Sequence, residues 1–248
     1  EARARRAATI ARNNIAVETR DLTKSYGATK VLDGLDFTVR VGEVVALLGP
    51  SGSGKSTLLR CIMGLTPVAN GEIMFNGDDL LKRSADARAS RQIGYVPQGR
   101  EIFSQLTIEE NLRIGWYARK DGERMTDVLE RIYAIFPVLK QMSTRRGGDL
   151  SGGQQQQLAI GRALVLNPSL LILDEPCEGI QPNIVHEIGD LLIRLNKELG
   201  LTVLLVEQKL PFARRVGQRF EILDKGRFVA NGSISDLTDD IVRHHLTV

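Results

Sequence analysis

The chain has 248 residues, 42% hydrophobic and 25% charged, enough for one large or two small domains around an ordinary buried core. No apolar run approaches the ~20 residues of a membrane helix, and the N-terminus lacks the ~7–15-residue apolar core of a secretion signal, so the chain is expected in the cytosol unless a partner holds it at a membrane. The net charge of +3 sits wholly in residues 1–14, where Arg3, Arg5, Arg6 and Arg12 stand against Glu1; the neutral remainder offers no electrostatic footprint for DNA and argues against nucleic acid as a partner.

That Ala-rich basic segment reads as a solvated, disordered tail, and residues 15–248 as a single domain. Strands are expected at about Ala16–Arg20 and Leu35–Val41, the second with period-2 alternation in Leu35-Asp-Phe37-Thr-Val39. A buried strand, Val44–Leu48, runs straight into Gly49-Pro50-Ser51-Gly52-Ser53-Gly54-Lys55-Ser56-Thr57, and a helix follows from Lys55 until Gly64. The loop meets GxxxxGK(S/T) at every fixed position. Its glycines let backbone N–H groups turn inward around the phosphates of a nucleotide, Lys55 reaches the β and γ oxygens, and the Ser56 hydroxyl is a ligand for Mg²⁺.

Further strands are expected at Glu72–Phe75 and Ile93–Val96, and residues from Thr107 to Leu139 read as helical, opened by the capping box Thr107-x-x-Glu110. A helix from Ser151 to Leu166 precedes the apolar strand Leu170–Leu173, and a second helix runs from Pro182 to Gly200, ahead of the strand Val203–Val206. Phe220–Leu223 and Arg227–Ala230 read as a hairpin, and a final helix ends at Val248. The pattern predicts an α/β fold: a mainly parallel core sheet, an N-terminal antiparallel β addition and a helical insertion near residues 105–147.

Asp174 and Glu175 follow the apolar strand at its carboxyl end, where ligands collect in open α/β sheets. Asp174 is placed to share Mg²⁺ with Ser56, and Glu175 to polarise a water toward the γ-phosphate. Cys61 and Cys177, far apart and without CxxC spacing or a neighbouring His, read as reduced thiols. Ser151-x-x-Gln154 is a capping box that would start any helix, yet two glycines at a helix start cost propensity and expose N–H groups to an anion.

With Leu150-Ser151-Gly152-Gly153-Gln154 about twenty residues before the acidic strand end, the chain resembles the ATP-binding-cassette family from residue 15 onward. The resemblance implies a P-loop NTPase cassette with a helical signature subdomain at about residues 105–165, which hydrolyses ATP. It also implies head-to-tail dimers in which the signature of one subunit completes the ATP site of the other. Tyr26 would stack on adenine, unless it is a core aromatic, and Gln98 would contact Mg²⁺ and the attacking water, unless it is a turn residue. Gln208 stands where the family usually has a switch histidine, and Gln181 where a loop aspartate is usual, which implies slow hydrolysis that depends on Glu175.

Val206-Glu207-Gln208 is similar to the ATPases of branched-chain amino acid importers. Within that group Gly99-Arg-Glu-Ile-Phe103, the run Gln154–Gln157, Glu178-Gly-Ile-Gln-Pro182, Gln208-Lys-Leu-Pro-Phe-Ala-Arg-Arg215 and His245-Leu-Thr-Val248 look like the second ATPase subunit of a urea importer. The partners implied are a second cassette, transmembrane permeases touched through Gly99–Leu106 on the inner face of the membrane, and a periplasmic binding protein. The reading from a different class is a nucleotide-dependent regulatory subunit with little turnover.

Overall fold

Short apolar runs must satisfy their backbone groups away from water, and three of them, β3 (Val44–Leu48), β7 (Leu170–Asp174) and β8 (Thr202–Val206), do so by pairing side by side, each buried along its whole length. With β6 (Ile93–Val96), β9 (Arg219–Asp224) and β10 (Arg227–Ser233) they form a six-stranded sheet of order β10-β9-β3-β8-β7-β6. All its pairings are parallel except the β9–β10 hairpin at one edge. These features come from a computed structural model, which describes residues 14–119 and 121–246. The expected basic tail lies, apart from Asn14, outside the described residues.

Period-2 geometry sends alternate side chains of this sheet to opposite layers. Leu171, Leu173, Val203 and Leu205 face a layer built on α6 (Gly152–Val165) and α7 (Pro182–Leu199). Leu170, Ile172, Leu204 and Val206 face α1 (Lys55–Met63) and the antiparallel sheet of β1 (Ile15–Tyr26), β2 (Thr29–Arg40), β4 (Asn70–Phe75) and β5 (Asp78–Asp79), ordered β2-β1-β4-β5. Each fully buried Leu or Ile contributes about 1.5–3 kcal/mol, so both layers are anchored through the same few strands. Gly64 closes α1 in the left-handed conformation at φ 72° and Gly200 closes α7 at φ 64°.

The structure departs from expectation in several places, among them β2, which begins at Thr29 and not at Leu35. Strand β1 does not stop at Arg20; it continues to Tyr26 through a register shift at Asp21, whose φ of 45° marks a bulge. The stretch from Thr107 to Leu139 is not one helix but α3 (Ile108–Tyr117), α4 (Met125–Ile135) and α5 (Pro137–Gln141). Arg119 breaks it, donating to the Val165 carbonyl at 2.5 Å and pairing with Asp121 and Glu123, while Gly122 turns at φ 77°. The short helices α2 (Ala85–Ala89) and α8 (Leu210–Val216) were not expected, and the last helix, α9 (Asp239–His245), ends before Val248. Among the described residues no helix is long and apolar enough to cross a membrane.

Candidate nucleotide-binding site

The strand order decides what meets at the site. Neighbouring parallel strands β3, β8, β7 and β6 release their carboxyl ends along one rim, so the loops that begin at Gly49, Glu207, Glu175 and Pro97 converge there although they are far apart in sequence. A cleft of about 340 Å³ on this rim is lined by Tyr26, Val31, Ser51, Gly52, Gly54, Lys55, Ser56, Thr57, Gln98, Glu175 and Gln208. Most residues expected to serve the nucleotide are thus brought together.

The phosphate loop is set by backbone approach. At Gly49 φ is 147° and a Cβ would stand 2.1 Å from the Leu223 carbonyl oxygen, so any side chain would push β9 away. Within the loop, Ser53 N–H donates to the Pro50 carbonyl at 3.2 Å. Lys55 Nζ donates to the carbonyls of Gly49 at 2.8 Å and Pro50 at 2.7 Å, and to Ser53 Oγ at 3.2 Å. Burial pulls the Lys55 ammonium below its ordinary pKa, against the opposing pull of Glu175 and Asp174.

Asp174 sits at the end of β7, 2% exposed. Burial raises its carboxyl above the usual carboxylate range, and a hydrogen bond from Ser56 partly offsets that shift. Its Oδ1 has no partner. A buried carboxylate oxygen left bare beside a serine hydroxyl is the donor set expected of a hard, oxygen-liganded cation, so these residues fit Mg²⁺. Among the described residues no group of three His, Cys, Asp or Glu could hold a metal by itself.

Glu175 adopts φ 49°, an uncommon conformation for a non-glycine residue that costs about 1–3 kcal/mol. Two amides hold it: Gln98 Nε2 donates to Oε2 at 3.3 Å, and Gln208 Nε2 donates to Oε1. Gln98 also donates to Glu178 Oε2 at 3.1 Å. Tyr26 is 51% exposed with the Lys24 ammonium 4.8 Å from its ring centre, so it is not a core aromatic. Gln98 stands in an exposed turn and donates to both Glu175 and Glu178.

The signature residues lie elsewhere. Ser151, Gly152, Gly153 and Gln154 line a separate groove of about 810 Å³ together with Gly179, Gln181 and Ile184, while Leu150 is buried in the core. The capping box does form: Ser151 Oγ accepts from Gln154 N–H at 3.3 Å and Gln154 Oε1 accepts from Ser151 N–H at 3.0 Å. Within one subunit, signature and phosphate loop therefore do not share a cleft.

Four residues that the sequence offers only as members of family-like strings, Glu207, Lys209, Glu178 and Arg100, organise the rim. Glu207, 2% exposed, accepts from the backbone N–H of Cys177 at 3.2 Å, Gln208 at 2.7 Å and Lys209 at 2.8 Å. Lys209 Nζ closes the ring on the Cys177 carbonyl at 2.7 Å. The loop after Glu175 and the loop bearing Gln208 are thereby fastened together. Glu178 receives Gln98, and Arg100 braces the far side. In the sequence Glu207 stands out only as the middle residue of Val206-Glu207-Gln208 at the end of an apolar strand, with nothing to mark it as an acceptor. Both cysteines are buried; Cys61 is pushed up to about 11 by burial, and burial with the neighbouring Glu207 raises Cys177, so neither is a reactive thiolate near neutral pH.

Comparison with known proteins agrees with this geometry. Residues 32–178 match the ABC transporter family. The chain is 40% identical to the high-affinity branched-chain amino acid transport ATP-binding protein BraG of Pseudomonas aeruginosa, over 82% of this chain and 87% of that protein. It is 35% identical to the probable branched-chain amino acid transport ATP-binding protein LivF of Archaeoglobus fulgidus, over 90% and 94%. A dimeric, post-hydrolysis structure of the ATP-binding cassette MJ0796 bound to ADP and Pi superposes with a TM-score of 0.81 at 28% identity, covering 88% of this chain and 98% of that one. The chain belongs to the ABC transporter family, as one of its ATPase cassettes.

Proposed function

We propose that the chain is the ATP-hydrolysing subunit of a membrane importer for a small amide or amino acid, urea first among them. The observation that carries the catalytic part is the rim itself, where four strand ends converge on one cleft while the signature opens on another. In this reading residues 15–248 form one cassette, with the helical signature subdomain at about 105–165, and two cassettes close head to tail over ATP. Tyr26 stacks on adenine, residues Gly49 to Thr57 wrap the phosphates, and Ser151, Gly152 and Gly153 of a second subunit cover the γ-phosphate. Ser56 and Asp174, with Gln98, would hold Mg²⁺, which would neutralise charge on the phosphate oxygens.

Glu175 takes the proton of the attacking water. Both of its carboxylate oxygens are now engaged by Gln98 and Gln208, so the base stays masked until nucleotide draws those amides away. A neutral Gln208 donates a hydrogen bond to the γ-phosphate but cannot become cationic, which keeps turnover slow. Glu207 places Gln208 and the loop after Glu175 relative to each other. Glu207→Gln, which keeps the shape but loses an acceptor, is expected to lower kcat about 10- to 100-fold with KM for ATP little changed. A parallel rise in KM in steady-state assays would contradict this role.

The cargo reading rests on resemblance. The strings around Gln98, Gln154, Gln181 and Gln208 support urea, whereas the names borne by BraG and LivF favour branched-chain amino acids as a second reading. Phe103, 46% exposed at the edge of the helical subdomain, supports a permease contact on the cytoplasmic side of the membrane. A periplasmic binding protein would deliver the cargo. Cells carrying the chain with its transport partners are expected to take up labelled urea and to lose that uptake with Lys55→Ala. Uptake of labelled leucine and not urea would establish the second reading. Phe103→Ala is expected to abolish uptake while the purified chain still hydrolyses ATP, and full uptake would remove Phe103 from the contact.

A further inference from the structure

Arg100 lies two residues beyond Gln98 in a segment whose backbone is left-handed at three successive positions, Gly99 at φ 78°, Arg100 at 71° and Glu101 at 45°. Two non-glycine residues in that region persist only if their surroundings hold them. The guanidinium supplies that hold. Arg100 Nε donates to Gln156 Oε1 at 3.2 Å, Nη1 to Gln155 Oε1 at 3.3 Å and Nη2 to the Glu178 carbonyl at 2.9 Å. One side chain thus joins the phosphate-sensing loop to the signature helix α6 and to the loop after Glu175.

Two details make this more than a surface brace. A Cβ on Gly152 would stand 3.4 Å from Arg100 Nη2, and one on Gly179 3.6 Å from the same atom. The guanidinium therefore lies directly against the signature and against the loop that lines its groove. Gln156 is 3% exposed and its Nε2 has no partner, so the bond from Arg100 satisfies the other end of a buried amide. All three acceptors are neutral oxygens. The planar fork, which spans several acceptors at fixed angles, is what the arrangement uses, and a lysine has a single donor centre.

Gln98 and Arg100 also grip the same residue from two sides, Gln98 through the Glu178 carboxylate and Arg100 through its carbonyl. A shift of Gln98 toward a bound nucleotide releases or drags Glu178, whose carbonyl is held by the guanidinium that lies against Gly152. We propose that Arg100 is a positioning residue that couples the two ATP sites of the dimer: it reports occupancy of its own subunit's site to the signature that serves the other. This rests on the composite-site reading given above.

The test compares the parent protein with Arg100→Lys and Arg100→Ala. ATPase rate is measured against ATP concentration, together with binding of a fluorescent ATP analogue to the monomer at low protein concentration. The parent is expected to be cooperative, with a Hill coefficient approaching the two sites, and both variants to fall toward about 1 with kcat down about 5- to 50-fold. Analogue affinity of the monomer should stay within about twofold, because Arg100 does not line the nucleotide cleft. Cooperativity retained in Arg100→Ala, or in Arg100→Lys, would overturn the proposal while leaving the composite site intact. Affinity and kcat falling together at an unchanged Hill coefficient would also overturn it, since that marks a plain structural brace. A parent that stays monomeric with ATP and shows hyperbolic kinetics, even with the second cassette of its transporter added, would instead remove the composite-site reading, and the coupling with it.

Discussion

Glu175→Gln is expected to lower ATP turnover by about 10²- to 10⁴-fold, the usual contribution of a positioned general base, while ATP still binds. Glu175 is the acid that faces the cleft, with both oxygens accepting from side-chain amides, whereas Asp174 is buried. The glutamine keeps the size of the side chain and can still accept one hydrogen bond, but it takes no proton from water. Single-turnover hydrolysis with saturating Mg²⁺ reads the chemical step directly. Turnover at the parental rate would pass the role of base to another group.

Asp174→Asn is expected to act in two directions at once. Turnover should fall by about 100-fold, because a carboxylate beside Ser56 is what makes the pair a cation site. The nucleotide-free protein should nevertheless gain stability. Burial raises the pKa of the folded Asp174 carboxyl above its unfolded value, so its ionisation costs stability as pH rises through the folded pKa and costs nothing below the unfolded one. The gain should be largest near pH 8 and vanish toward about pH 4, where the parent carboxyl is itself protonated. A gain of about 1 kcal/mol would shift Tm by about 2–4 °C for a chain of this size. A variant less stable than the parent across that range would show that the charge of Asp174 is satisfied by protein groups alone.

The parts of the site legible in sequence were those coded by neighbouring residues. The run from Gly49 to Thr57 carries its own geometry, and β3, β6, β7 and β8 stand within a residue of where apolar runs placed them. The capping boxes at Thr107 and Ser151 form because each needs only four consecutive residues. Contacts made across the sheet were not legible. Strand order sets Glu207 beside Cys177, and no local pattern encodes that order. Arg100 finds Gln155, Gln156 and Glu178 through the chain's return in α6 and after β7, so nothing in its own sequence neighbourhood names these partners. The break after Tyr117 was missed because Arg119 ends the helix by bonding to the Val165 carbonyl on α6.

The central claim is that the nucleotide site is half a site, completed by the signature of a second subunit. The most direct measurement is sedimentation of the Glu175→Gln protein with Mg²⁺ and ATP, with ADP, and without nucleotide. A species of twice the monomer mass with ATP alone, returning to monomer with ADP, is the predicted result. A protein that binds ATP yet remains monomeric at every concentration, even with the second cassette of its transporter added, would contradict it.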